Sequence, residues 1–303
     1  MGMKEKIHGI VVPLVTPLET PERIDEAASA RMIDRVIAGG VHAVFLLGST
    51  GEGPALAMEE RKRFLSVCVK AVAGRCPLLA GISGASFAEA KALGQFAAEA
   101  GVDAVVAAVP CFLPPEEEEI LLYYRLLARE VPSPLFLYNM PSLTKVAMKL
   151  ETVRRLAEIP NVVGYKDSSG DLEAFRKAVE LLGGRPDFSL LIGPEELTAE
   201  AVALGGDGGV NGGANLRPEL YAGLYDAVRR GEREKAAQLN ARVLEIVRSY
   251  GVPVTTGGVI RRLKYELSRE GIIRNILAAP SLPMGGSCGG IRWRRVENAF
   301  DCR

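Results

Sequence analysis

Residues 42–74 read HAVFLLGSTGEGPALAMEERKRFLSVCVKAVAG. The first part, HAVFLLG (42–48), is apolar on both faces, as in a parallel strand that is covered by helices on either side. The last part, EERKRFLSVCVKAVAG (59–74), alternates charged and apolar residues at helical spacing and ends at Gly74, a typical helix C-cap. The stretch therefore predicts one strand followed by one helix.

The same pattern recurs along the chain, with helical segments that end at Gly39 and Gly101 as well. Eight apolar runs follow one another at intervals of about 20–35 residues: IVVPLV (10–15), HAVFLLG (42–48), PLLAGI (77–82), DAVVAAVP (103–110), PLFLYN (134–139), VVGYK (162–166), FSLLIG (188–193) and GGVNGG (208–213). Eight strand–helix units predict an α/β protein of the (β/α)8 TIM-barrel class. A doubly wound open sheet is the alternative, but the first run is followed by TPLETPERID rather than by a glycine-rich dinucleotide turn.

The composition changes twice towards the C-terminus. We expect a barrel domain over residues 1–230 and a C-terminal helical region over 231–278, where the pattern becomes wholly helical. Residues 279–303 are rich in Pro, Gly and Cys without periodicity, and we expect an atypical, mobile tail after Ala279.

Charge and apolar content argue against several classes of partner. The 303 residues contain 37 basic and 37 acidic side chains, a balance that argues against nucleic acid or an anionic membrane as the main partner. No apolar run approaches the roughly 20 residues that span a bilayer, and the start lacks the apolar core of a signal peptide. We expect a cytoplasmic protein. With two histidines in the chain, an imidazole-rich metal site is not expected, whereas a carboxylate magnesium site stays open.

The run VVGYKDSSGD (162–171) ends a predicted strand in a lysine, Lys166. Sites of TIM barrels lie at the C-terminal ends of the strands, so the amine is expected to point into that mouth. Burial disfavours a charged amine, and the neutral form is a nucleophile that condenses with a ketone or aldehyde to give a Schiff base. A solvated lysine just past a strand end is the alternative.

Other predicted strands also end in polar groups. GSTGE (48–52) carries Ser49 and Thr50 between glycines, which suits either a cradle for a small carboxylate or an ordinary turn with a helix cap. YNMP (138–141) presents Tyr138, either a proton relay or an amphipathic rim residue.

Three further features have simpler interpretations. GGDGGVNGG (205–213) is either a phosphate nest or a place of close packing, and no basic residue follows until Arg217, which weakens the phosphate interpretation. The charge run PPEEEEI (114–120) is interpreted as a solvated helix start, and His42, at the start of a strand, as structural.

Taken together, GSTGE, YNMP and GYKDSSGD in this order make the chain resemble the dihydrodipicolinate synthase / N-acetylneuraminate lyase family of class I pyruvate-dependent lyases, from about Lys6 to Leu277. The resemblance implies a homotetramer built as a dimer of dimers. It implies that Lys166 forms a Schiff base with pyruvate or a pyruvate-derived 2-oxo acid, without a metal or an organic cofactor. Roles for five other residues are implied as well: Ser49 and Thr50 hold the carboxylate, Thr50 and Tyr138 relay protons, and Gly193 and Val210 line the pocket.

The chain also departs from the family pattern. Synthases carry an arginine two residues after the YNxP proline, which grips aspartate semialdehyde, and here Leu143 takes its place. A relay tyrosine expected after the fourth strand is replaced by Phe112. Glu195 and Glu196 match the acidic pair with which sialic acid lyases bind sugar hydroxyls, but the serine expected near the eighth strand is a glycine, around Gly212.

These departures rank the activities that the resemblance allows. The leading hypothesis is a Schiff-base aldolase or hydro-lyase acting on a 2-keto-3-deoxy sugar acid or a hydroxylated 2-oxo acid. The alternative is 4-hydroxy-tetrahydrodipicolinate (dihydrodipicolinate) synthase, which condenses pyruvate with aspartate semialdehyde, and N-acetylneuraminate lyase comes third. A non-catalytic barrel that binds 2-oxo acids stays open, and a metal-dependent barrel lacks ligands.

Overall fold

The computed structural model describes residues 6–111, 113–251 and 254–285. The strands are β1 (Gly9–Pro13), β2 (Leu18–Thr20), β3 (Arg23–Ile24), β4 (Ala43–Leu46), β5 (Leu78–Gly81), β6 (Ala104–Ala108), β7 (Leu135–Asn139), β8 (Val162–Asp167), β9 (Ser189–Ile192) and β10 (Gly208–Val210). Eight of them form a closed parallel barrel in the order β1-β10-β9-β8-β7-β6-β5-β4, and β2 and β3 form a separate antiparallel pair. The predicted (β/α)8 barrel is confirmed, and each of the eight predicted runs overlaps one strand of the barrel.

Helices surround the barrel, one or more after each barrel strand. They are α1 (Glu26–Ala38), α2 (Met58–Val72), α3 (Phe87–Ala100), α4 (Glu117–Glu130), α5 (Pro141–Thr144), α6 (Leu150–Leu156), α7 (Leu172–Leu182), α8 (Thr198–Ala203), α9 (Pro218–Arg229), α10 (Arg233–Arg248) and α11 (Thr256–Arg269). In the described parts of the chain, none of these helices is long and apolar enough to cross a membrane.

The apolar residues bury themselves in two layers because each strand is covered on both faces. The inner layer fills the barrel with side chains such as Val11, Phe45, Phe136, Leu191 and Val210. The outer layer lies between the strands and the helices and contains most of the buried aliphatic residues. A barrel filled in this way is a packed core, so open space for a ligand is left only beyond the strand ends.

Several local predictions can be compared with the structure. Glu116 caps α4 and donates its backbone N–H to Glu119 Oε2 at 2.7 Å, so the charge run is a helix start, as predicted. His42 accepts a hydrogen bond at Nδ1 from the backbone N–H of Ile10, 3.1 Å away, at the N-terminal end of the barrel. The β2–β3 pair and the short helix α5 were not predicted, because they lie outside the eight apolar runs and are too short to show a periodic pattern of their own.

The predicted C-terminal helical region is present and consists of two separate helices. α10 ends at Arg248 and α11 ends at Arg269, and residues 249–251 and 270–285 are not helical. Gly251 and Gly271 lie at φ values of +98° and +72°, a left-handed conformation that ends a helix and that glycine adopts at little cost.

Gly164 illustrates how tightly the barrel interior is filled. A Cβ atom at this position would lie 2.2 Å from Cε1 of Phe136 on the neighbouring strand β7. We predict that Gly164→Ala lowers the free energy of unfolding by about 1–3 kcal/mol, the usual cost of overpacking a core. Chemical denaturation of the variant and the wild type measures this change.

The matched control is Gly184→Ala, since a Cβ at Gly184 has no neighbouring atom within 4 Å. Equal denaturation midpoints for the wild type and Gly164→Ala would show that the Phe136 ring moves aside without a loss of stability.

Candidate active site

Lys166 is the penultimate residue of β8, and its side chain faces the inside of the barrel mouth. It is buried, with 6% of its surface exposed. The parallel register of β7 and β8 places Tyr138 directly beside it. The Lys166 Nζ atom lies 3.8 Å from the centroid of the Tyr138 ring and 4.9 Å from that of Phe45. Two aromatic faces therefore surround an amine that has little access to water.

Tyr138 is the second polar group of this arrangement. Its hydroxyl lies 3.5 Å from Ser49 Oγ on the loop that follows β4. Burial raises the pKa of Tyr138, but the positive charge of Lys166 and hydrogen bonds with Ser49, Lys166 and Ser168 oppose it, and the net pKa lies below its ordinary value. A phenol that ionises more readily than usual, beside an amine, is suited to proton transfer.

The loop that carries Ser49 and Thr50 is tightly held against β1. Thr16 Oγ1 donates to the carbonyl of Gly51 at 2.6 Å, and a Cβ at Gly51 would lie 2.8 Å from the carbonyl oxygen of Leu14. The glycine at position 51 is therefore required by a close backbone approach. This packing fixes the backbone of the loop beside Ser49 and Thr50.

Asn139 and Asp167 each follow one of the two central residues and were not predicted as part of the site. Asn139 Nδ2 donates to Asp167 Oδ1 at 2.8 Å, and the backbone N–H and hydroxyl of Ser169 donate to the same carboxylate at 3.0 and 2.9 Å. Asn139 Oδ1 accepts from the Met148 N–H at 3.0 Å. Burial raises the pKa of Asp167 despite these hydrogen bonds. The network locks the ends of β7 and β8 together where Tyr138 and Lys166 stand.

A cavity of about 550 Å³ opens at this end of the barrel. It brings together all eight residues that the sequence analysis assigned to a site: Ser49, Thr50, Tyr138, Lys166, Gly193, Glu195, Glu196 and Val210. Gly193 has no room for a side chain, since a Cβ there would lie 1.9 Å from Ser168 Oγ. The beginning of α11 forms part of the wall through Thr256, Gly257 and Val259, which the sequence pattern gave no reason to place there.

The two adjacent acids at the end of β9 have different surroundings. Glu195 is buried and accepts hydrogen bonds from the Gly213 N–H at 3.1 Å, from the Tyr250 hydroxyl at 3.1 Å and from the Tyr221 hydroxyl. Burial raises the pKa of Glu195, and these hydrogen bonds oppose the rise only in part. Glu196 is exposed to the cavity. Since the lone pairs of Glu195 are taken, Glu196 is the acid that is open to a bound molecule.

Leu143 lies on α5, lines the cavity and is 43% exposed. Phe112, which the sequence analysis singled out with it, lies outside the described residues. Within residues 6–111, 113–251 and 254–285, no three His, Cys, Asp or Glu side chains come together as a metal site would require.

The fold and the cavity define a TIM barrel whose mouth holds a buried lysine beside a tyrosine. Residues 6–287 match the dihydrodipicolinate synthetase family, and the chain belongs to this family. It is similar to a 4-hydroxy-tetrahydrodipicolinate synthase of Hyphomonas neptunium, with 37% identity over 90% of this chain and 93% of the relative. The chain is accordingly a class I lyase of the pyruvate-dependent type.

Solved structures agree with this assignment. The dihydrodipicolinate synthase of Bacteroides thetaiotaomicron superposes with a TM-score of 0.88 and 40% identity, covering 93% of this chain and 95% of that one. A prophage protein of the same family from E. coli K12, solved in complex with pyruvate, has a TM-score of 0.84 and 29% identity, covering 91% and 93%.

The proximity of Lys166 makes the titration of Tyr138 a test of the site geometry. We predict that the phenol absorbance step that Tyr138→Phe removes occurs at lower pH than in free tyrosine, and that Lys166→Met moves this step to higher pH. The methionine variant removes the positive charge, so that burial, which raises the pKa, is no longer opposed by it. Ultraviolet absorbance of the phenolate against pH measures both steps.

Lys177→Met, which removes an exposed lysine on α7, is the control and leaves the step where it is in the wild type. If the Tyr138 absorbance step occurs at the same pH in Lys166→Met as in the wild type, the contact between Lys166 and Tyr138 is contradicted.

Proposed function

We propose that the protein acts on pyruvate or a pyruvate-derived 2-oxo acid through a Schiff base at Lys166, with no metal ion or organic cofactor. The observation that carries the proposal is the buried Lys166 amine, 3.8 Å from the centre of the Tyr138 ring at the end of the barrel. Such an amine is a nucleophile for a ketone, and the resulting imine is itself an electron sink.

Imine formation begins when the ammonium group of Lys166 gives up a proton and its nitrogen attacks the carbonyl carbon of the 2-oxo acid. In all, the nitrogen gives up two of its three protons, the carbonyl oxygen takes up two and leaves as water, and a protonated imine remains. Tyr138, with its lowered pKa and its contact to Ser49, is placed to carry these protons, and Thr50 joins the relay. Ser49 and Thr50 hold the carboxylate of the substrate, so that the carbonyl carbon faces the amine.

Bond cleavage follows from the imine in the direction of breakdown. The C3–C4 bond of a 4-hydroxy-2-oxo acid breaks, its electron pair forms the C2–C3 double bond of an enamine, and the 4-hydroxyl loses its proton as the aldehyde forms. Protonation of C3 and hydrolysis of the imine then release pyruvate and restore Lys166. The reverse sequence condenses pyruvate with an aldehyde.

For the partner of pyruvate we propose a hydroxylated group, as in a 2-keto-3-deoxy sugar acid or a hydroxylated 2-oxo acid. Leu143 gives the cavity an apolar side chain where a carboxylate grip would need a guanidinium. Glu196, Ser142 and Ser169 line the same cavity and offer hydrogen-bond partners for hydroxyl groups.

The alternative is 4-hydroxy-tetrahydrodipicolinate synthase. It is favoured by the names of the relatives from Hyphomonas neptunium and Pseudomonas putida, which are 37% and 34% identical to this chain. The remaining features of the resemblance also stay proposals, namely a dimer of dimers and a division into a barrel over residues 1–230, a helical region over 231–278 and a tail over 279–303.

Borohydride reduction in the presence of pyruvate tests the Schiff base. We predict a pyruvyl adduct on Lys166 in the wild type and none in Lys166→Ala, which stays folded because a buried amine is removed rather than added. Intact mass and peptide mapping detect the adduct.

Tyr138→Phe serves as the second variant of this experiment. It binds pyruvate but turns over about 10²–10⁴-fold more slowly, the usual loss for acid–base catalysis. A folded wild type without adduct would favour the non-catalytic binding barrel, and unchanged turnover in Tyr138→Phe would exclude the relay.

Recognition of the aldehyde's carboxylate by residue 143 distinguishes the proposed activity from the synthase activity. We predict poor condensation of pyruvate with aspartate semialdehyde, and an increase in kcat/KM of about 10–100-fold in Leu143→Arg, the range expected for a new hydrogen-bonded ion pair. Steady-state assays with semialdehyde and with a neutral hydroxyaldehyde measure the change.

Leu143→Met preserves the apolar character and is the matched control. Robust condensation by the wild type at physiological substrate levels would instead establish the synthase activity.

A further inference from the structure

A second buried lysine lies away from the reacting groups. Lys264 on α11 is fully buried and forms an ion pair with Glu52, whose side chain is 5% exposed. Burial lowers the pKa of Lys264, and the Glu52 carboxylate opposes this in part. Because removing two charges from water is costly, a buried pair adds little net stability, and its presence in the fold calls for another explanation.

The backbone of Glu52 points to that explanation. Its φ of +55° and ψ of +22° are left-handed, a conformation that favours glycine and strains other residues. Gly51 and Gly53 stand on either side, yet position 52 is a glutamate. Its Oε2 accepts the Ala278 N–H at 2.8 Å, and Lys264 Nζ, besides pairing with Glu52, donates to the Ile276 carbonyl at 2.9 Å. The side chain thus holds the loop in a conformation that the backbone alone disfavours.

Both ends of this link lead to the wall of the cavity. On the barrel side, the Glu52 N–H donates to the Ser49 carbonyl at 3.0 Å, within the loop that carries Ser49 and Thr50. On the other side, α11 contains Lys264 and contributes Thr256 and Gly257 to the wall at its beginning. The ion pair therefore joins two parts of one wall.

We infer that Glu52 and Lys264 are positioning residues, whose ion pair sets the place of the Ser49–Thr50 loop relative to Tyr138 and thereby the affinity of the cavity for the substrate carboxylate. The part that concerns the carboxylate rests on the proposed function. The part that concerns Tyr138 rests on the 3.5 Å contact between the Ser49 and Tyr138 hydroxyls.

The experiment compares Glu52→Gln, Lys264→Met and the double variant with the wild type. The double variant leaves no unpaired charge, so it folds even where a single substitution does not. Lys6→Met is the matched control, because Lys6 pairs with Asp207 at 2.9 Å at the opposite end of the barrel. Ser49→Ala shows how large the effect of a lost loop hydroxyl is.

Two readouts are measured beside thermal unfolding. In borohydride trapping, the half-saturating pyruvate concentration rises about tenfold in the double variant while the limiting trapping rate changes less than about threefold, since loop placement affects binding more than the amine. Without any ligand, the phenol titration of Tyr138 moves to higher pH, because the hydrogen bond from Ser49 that lowers its pKa is weakened. Lys6→Met changes neither readout.

Wild-type values of both readouts in a folded double variant overturn the inference, as do equal shifts in Lys6→Met. If the wild type itself is not trapped by pyruvate, the proposed function fails, and the ligand-free phenol titration alone decides whether the ion pair positions the loop.

Discussion

The amine of Lys166 lies inside the protein, and an amine in such a place must be held without the hydration that water would give it. The faces of Tyr138 and Phe45 replace part of that hydration. This arrangement exists because β7 and β8 are adjacent and in one register, so that residues 138 and 166 stand side by side. A shift of one strand by one residue would turn its side chain away from the barrel interior and separate the pair. The register of these two strands is therefore the constraint on which the site depends.

The register is secured by polar contacts at the strand ends. The Asn139–Asp167 hydrogen bond joins β7 to β8 one residue beyond the central pair, and Gly193 at the end of β9 donates its N–H to the Asp167 carbonyl at 2.6 Å. A buried polar network of this kind is stable only when its members are satisfied, which ties each side chain to one position. The same contacts that hold the barrel closed thus fix the geometry of the proposed chemistry.

The barrel and the central residues were predictable because their signals are local. A run such as VVGYK is apolar on both faces and ends in a charge, so both the strand and the unusual lysine can be found within a few residues. The partners of Glu195 were not predictable, since Tyr221 and Tyr250 lie 26 and 55 residues further along the chain. Glu52 and Ala278 are 226 residues apart, and no spacing rule connects them. These contacts form only in the folded chain, between residues that are far apart in sequence, so a local sequence pattern could not predict them.

These long-range contacts also change how the C-terminal helices are understood. The sequence pattern alone predicts that the segment after residue 230 is an appendage to a complete barrel. In the fold, Tyr250, two residues after α10, donates to Glu195 in the wall of the cavity. The beginning of α11 also lines the cavity, and Lys264 of α11 binds the loop after β4. A (β/α)8 barrel alone would leave Glu52 without its ion pair, and it would leave Glu195 with Gly213 and Tyr221 but without Tyr250. The helical region therefore completes the site, and the barrel and its C-terminal helices form one functional unit.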